Sequence, residues 1–168
     1  IKSLTLIGNS LESLDLGYLT DLESLHISAT SLHELNITGN RLLKELTIDE
    51  NGVAVEQIDL SKNSELTRLI ISNAKNLERL DLSQCLKLNS IDLRSVSNLS
   101  YINFGENETY VNVKPFGAYS HGYGWSYPGA TLMKDLTIVA PRAETLTVYD
   151  VYAAIKLNVD GCPNITEL

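Results

Sequence analysis

The sequence predicts a mostly β solenoid of about seven short coils, with strands on both faces and little helix. Three observations predict it. One apolar frame recurs along the chain: an apolar residue, two free positions, an apolar residue, one free position, an apolar residue. Leu77-Leu80-Leu82, Leu88-Ile91-Leu93 and Leu99-Ile102-Phe104 are three consecutive copies in the stretch Leu77 to Asn107. The copies alternate between two kinds, so the unit is a pair of frames 21 to 23 residues long. Within each frame the L-x-L triplet puts two apolar side chains on one side and the middle residue on the other, which is a short strand.

In chain order, the middle apolar residues are Leu4, Leu14, Leu25, Leu35, Leu46, Ile58, Leu69, Leu80, Ile91 and Ile102, then Leu136, Leu146, Leu157 and Leu168. Within each run the steps are ten, eleven or twelve residues, and a fixed short period of this kind is the signature of a solenoid. Frames of the first kind carry Asp15, Asn36, Asp59, Asp81 and Asn103 directly after the centre, and Asn40, Asn63, Cys85 and Asn107 five residues after it. Those of the second kind carry Thr5, His26, Thr47, Ile70 and Asp92 after the centre. Ordering one frame costs on the order of 15 kcal/mol of backbone entropy. Its three or four buried side chains return roughly 5–12 kcal/mol, so a frame is stable only when stacked on others. Buried turns leave backbone groups to satisfy, and a stacked Asn side chain supplies both donor and acceptor. Cys is a small buried substitute in that ladder. With about 22 residues per coil, a helix on the second face has little room.

Strings such as Ile58-Asp59-Leu60-Ser61-Lys62-Asn63 and Leu80-Asp81-Leu82-Ser83-Gln84-Cys85 resemble leucine-rich repeats. The short nested period and the ladder cysteine resemble the repeats of bacterial surface proteins of internalin-like type. The resemblance covers nearly the whole chain and implies a right-handed leucine-rich-repeat solenoid. It also implies a non-enzymatic binding module, extracellular or at a cell surface, that recognises a protein. It does not say which protein.

The same spacing bears on the two cysteines. Cys85 and Cys162 occupy one ladder position in coils separated by three steps, roughly 14 Å at the strand spacing. A disulfide needs Cα atoms within about 7 Å, so two buried thiols are expected rather than a bond.

Between Ile102 and Leu136 the rhythm breaks. A frame centred on Val111, of the second kind, returns Leu136 and Leu157 to the first kind, where Asn158 and Cys162 then fit. This places an aromatic, glycine-rich insert at about residues 114–131 within a single domain spanning 1–168. Tyr119, His121, Tyr123, Trp125 and Tyr127 lie there among Gly117, Gly122, Gly124 and Gly129. Aromatic rings on such a loop offer large contact area with a polar tip, suited to a glycan or a protein partner. The alternative is that the loop folds back over the solenoid or packs on itself.

Bulk properties narrow the function classes. The 168 residues are 43% hydrophobic, enough for a core, and carry a net charge of −8. That charge repels nucleic acid and an anionic membrane surface. No apolar run reaches the roughly 20 residues of a membrane-spanning helix. The chain opens at Ile1 in mid-frame, and is expected to be a piece of a longer protein that continues at one or both ends. His26, His33 and His121 lie on separate units with no zinc-ligand spacing, and no nucleophile elbow, P-loop or dinucleotide motif is present. The Asp and Asn column reads as a solvated polar face, since a flat row of carboxylates does not complete a cation's oxygen shell. Four Asn-x-Ser/Thr matches, at Asn36, Asn98, Asn107 and Asn164, arise easily in such a repeat and matter only in a eukaryotic secretory host. No catalytic residue, metal or cofactor is expected. The leading function is protein recognition. Glycan binding through the insert, or an inert spacer presenting a neighbouring domain, are the alternatives.

Overall fold

A computed structural model describes residues 1–29, 31–49, 55–94, 96, 98–106, 111–113, 136–139, 146–148 and 157–164. The insert at 114–131 and the ladder residue Asn107 lie outside the described residues. Among the described residues every regular element is a strand and none is a helix. In chain order they are β1 (Ser3–Asn9), β2 (Ser13–Asp15), β3 (Ser24–Ala29), β4 (Glu34–Asn36), β5 (Glu45–Ile48), β6 (Arg68–Ser72) and β7 (Arg79–Asp81). After these come β8 (Ser90–Arg94), β9 (Tyr101–Asn103), β10 (Val111–Val113), β11 (Leu136–Val139), β12 (Leu146–Val148) and β13 (Leu157–Gly161).

The strands sort by kind of frame into parallel sheets on two faces of a β-solenoid. The first sheet runs β1-β3-β5-β6-β8. Its centres stack in register: Leu4 on Leu25, Leu25 on Leu46, Leu46 on Leu69, and Leu69 on Ile91. β10 pairs with β12, Val111 facing Leu146, so both belong to the second kind, as parity requires. The other face holds β2-β4 and, separately, β7-β9-β11-β13.

The frames of the middle coils deliver their three apolar residues inward. Leu22, Leu25 and Ile27, then Leu43, Leu46 and Ile48, then Leu77, Leu80 and Leu82 are all buried in one continuous core, which extends through Phe104 and Ile138 to Cys162. Burial of each such side chain is worth about 1.5–3 kcal/mol, and no coil has two buried flat sides without its neighbours. In the terminal coil Leu4 and Leu14 are only partly buried.

Two expectations need correction. The frame centred on Ile58 forms no strand. Residues 57–59 touch the second face through one isolated bridge, Gln57 to Arg79, and β4 pairs with β2 alone. The chain enters this frame by a twelve-residue step, the longest between neighbouring frames of the first run, and the sheet is interrupted there. The second correction is at β11, where Ile138 rather than Leu136 faces Ile102. Leu136 still faces Leu157 on the other side. A two-residue slip keeps side-chain parity, so either apolar residue serves as a centre.

Candidate functional site

The turns that follow the second-face strands fix the site. Asn40, Asn63, Cys85 and Cys162 are buried, and each opens a tight turn: the amide nitrogens of Asn40, Asn63 and Cys85 donate to the carbonyls of Ile37, Leu60 and Leu82 at 3.1, 3.0 and 2.9 Å. Asn40 Nδ2 donates to Leu16 O and Leu19 O at 2.9 and 2.8 Å, and Asn63 Nδ2 to Ile37 O and Asn40 O at 3.1 and 2.9 Å. Their Oδ1 atoms meet no partner among the described residues, so the ladder acts through its donors. That explains how cysteine substitutes. The Cys85 thiol donates to Leu60 O at 3.8 Å and that of Cys162 to Ile138 O at 3.5 Å. The two are not joined by a disulfide. Burial, with Asp81 nearby, pushes the Cys85 thiol up to about 12, which removes the thiolate a redox or nucleophilic role needs.

The Asp and Asn column is exposed, and it also caps the turns. Asp15 Oδ1 accepts from Gly17 N at 2.9 Å and from Asn36 Nδ2 at 3.0 Å. Asn36 Oδ1 accepts from the Thr38 amide and hydroxyl, Asp59 Oδ1 from Ser61 N, and Asp81 Oδ1 from Ser83 N, both at 2.9 Å. Asn103 Oδ1 accepts from Gly105 N, and its Nδ2 reaches back to Asp81. These are Asx turns, readable in the triplets Asp-Leu-Ser, Asn-Ile-Thr and Asn-Phe-Gly. Hydrogen bonds from the Ser61 hydroxyl and amide hold Asp59 below the usual carboxylate range. Burial opposes ionisation of Asp81, but hydrogen bonds from Ser83 and Asn103 and the charge of Arg79 outweigh it and lower its pKa. The stacked turns leave no room at Gly39, where a Cβ would overlap Gly17 O. Gly105 adopts φ 54° with Ser83 directly below.

Outside these caps the second face is an open groove of about 840 Å³, extending from β4 to β9 across the interruption at 57–59. His33, Glu34, Glu56, Gln57, Asp59, Arg79, Asp81 and Tyr101 line it. The Arg79 guanidinium stacks 4.0 Å over the Tyr101 ring. From the first coil to Ile102 the outward positions of this face carry Glu12, Asp15, Glu34, Glu56, Asp59, Glu78 and Asp81, and one cation, Arg79. None of these seven carboxylates forms an ion pair with a described residue; the ion pairs among the described residues are Glu23 with Lys2 and Lys44 and Glu65 with Lys87, and His26 Nε2 lies 3.0 Å from Asp49 Oδ1. The corresponding positions of the first face mix both signs, with three basic residues, Lys2, Lys44 and Arg68, and four acidic ones, Glu23, Glu45, Asp49 and Asp92.

Placement of the remaining candidates is uneven. His33 lines the groove. His26 lies on the first sheet with Nε2 3.0 Å from Asp49 Oδ1. Tyr119, His121, Tyr123, Trp125 and Tyr127 fall outside the described residues. The groove residues Glu34, Glu56, Arg79 and Tyr101 were not among the sequence candidates. The chain-wide charge conceals them, but assigning each charge to its kind of frame reveals them. Among the described residues no helix is long and apolar enough to cross a membrane.

Comparison with curated proteins and with solved structures gave no match in either case. A family model described as At1g61320/AtMIF1, LRR domain, matches residues 1–159. That match spans nearly the whole chain, together with the stacked frames, asparagine ladder and parallel faces. The chain therefore belongs to this leucine-rich-repeat domain family.

Proposed function

We propose that this chain is a non-enzymatic protein-recognition module that engages its partner through the second face. The observation that carries the reading is the groove from β4 to β9: an exposed, concave surface over stacked coils in which capped turns hold the lining carboxylates Asp59 and Asp81. Rigid strands present such side chains with little entropy left to lose on binding. Family membership supports protein binding as the general role. The nested period of 21 to 23 residues and the ladder cysteines support a bacterial, internalin-like protein, secreted or held at a cell surface.

A photoreactive residue placed at Gln57, in the groove, and separately at Thr47, on the first sheet, tests the site. Cross-linking of one protein partner from Gln57 and not from Thr47 is the expected result. Binding that survives groove substitutions but is lost when Tyr119, Tyr123, Trp125 and Tyr127 become Ala moves the site to the insert and overturns it. Retention of a glycan under the same substitutions points the same way.

A further inference from the structure

Resting on the second-face reading above, we infer that the partner presents an extended, lysine- or arginine-rich segment to this groove. Four carboxylates line it, those of Glu34, Glu56, Asp59 and Asp81, against one guanidinium, that of Arg79, which is stacked on Tyr101. Glu34 and Glu56 make no side-chain hydrogen bond or ion pair with a described residue. Elsewhere carboxylates find cations: Glu23 holds two lysines and Glu65 one, at 2.6–2.8 Å. A face with seven carboxylates and one cation, opposite a face that mixes both signs, is complementary to a cation supplied from outside.

The geometry selects the kind of cation. Successive coils place carboxylates about 4.8 Å apart along the solenoid axis, and the groove covers three coil steps, roughly 14 Å. An extended chain covers that length in about four residues, with alternate side chains about 7 Å apart on one side. Two basic side chains therefore reach between the carboxylates while Tyr101 offers an apolar face at one end. A small hard cation fits poorly, because Asp59 and Asp81 each commit one oxygen to a turn amide and such ions need six or more oxygens. Nucleic acid and anionic lipid are repelled.

The test uses fluorescence anisotropy with a labelled octapeptide of alternating lysine and threonine, and its glutamate counterpart, on the full chain. The lysine peptide binds and the glutamate peptide does not. The exposed pair E34Q and E56Q together weaken binding roughly tenfold, about threefold for each charge removed, with a melting curve no lower than the parent's. E45Q, on the first sheet, leaves binding as it was. Binding falls as salt rises from 50 to 200 mM, as exposed pairing demands. Absence of lysine-peptide binding, equal loss in E45Q, or full displacement by spermidine at matched charge each overturns the inference. If a natural partner cross-links at Gln57 through an uncharged or acidic segment, the cationic inference falls while the second-face reading stands. Cross-linking at Thr47 alone removes both.

Discussion

The two faces of this solenoid are made from one frame and use it differently. On the first face the strands pair without interruption from β1 to β8, and several outward charges are met within the protein: Lys2, Glu23 and Lys44 form a ladder across three coils, and His26 lies beside Asp49. The second face is interrupted at 57–59, its acids cap turns or stay without a cation, and a groove opens over it. The turns differ too. After second-face strands the buried ladder position holds Asn40, Asn63 or Cys85; after first-face strands the sequence has Asn9, Thr30 and Asn51 at the same offset, then the buried Ala74 and Val96. The donor ladder, capped turns and open charge thus coincide on the second face. We read the first face as the one that closes the fold and the second as the one that presents side chains.

The largest expected effect breaks the difference between the turns. Asn63→Ala removes two buried hydrogen bonds, to Ile37 O and Asn40 O, and leaves each carbonyl only its turn amide, from Asn40 N and Leu43 N. A loss of about 3 kcal/mol is expected in urea denaturation. Cys85→Ala, which removes a long thiol contact, should cost about 1 kcal/mol. Equal losses in the two variants would mean that the ladder works by filling space and not by donating.

The ladder was legible in the sequence because its physics is local and periodic. An apolar frame with a fixed offset to Asn or Cys admits one stacking, and the parity of Val111 followed from that alone; β10 pairs with β12 as the second kind should. The interruption at 57–59 was not legible, because Ile58 and Leu60 satisfy the frame and are buried. Frame residues report burial, whereas pairing depends on how the chain enters the coil. The slip at β11 stayed hidden for a related reason: Leu136 and Ile138 are two apart, and a period of two cannot choose between them. As for the groove, charge summed over the chain cannot show that Glu34 and Glu56 sit together while Lys2 and Lys44 sit opposite.

The next effect concerns the caps. Asp81→Ala removes the acceptor for Ser83 N and the partner of Asn103 Nδ2, with an expected cost of about 1 kcal/mol. Thr47→Ala on the first sheet should fall within about 0.5 kcal/mol of the parent. A D81A variant as stable as T47A would show that the column is solvated surface and no more.

On the first face the ion ladder yields a pH signature. Hydrogen bonds from Lys2 and Lys44, reinforced by their charges, hold the Glu23 carboxyl down at about 2, against an ordinary 4.5. A folded pKa below the unfolded one stabilises the fold above the unfolded value, and that stability is lost as pH falls. The melting temperature should therefore drop between pH 4.5 and about 2 more steeply in the parent than in Glu23→Gln. Because the group is exposed, salt should flatten the difference. Identical slopes would remove the ladder from any account of stability.

The smallest effect has the opposite sign, and it separates the faces most sharply. Glu56 lies one coil from both Glu34 and Glu78, and none of the three forms an ion pair with a described residue. Like charges stacked along a solenoid repel, so Glu56→Gln should raise stability by a few tenths of a kcal/mol at low salt, and by nothing measurable at high salt. Glu23→Gln, on the first face, should lower it under the same conditions. A charge that costs stability where it stands is expected at a surface shaped for a partner. Thermal unfolding of E56Q, compared with the peptide binding of the same variant, joins the two: the substitution that makes the chain slightly more stable is the one that weakens its hold on a cationic segment. Loss of stability in E56Q would mean that Glu56 already has a cation in the protein, and the contrast between the faces would fail at its centre.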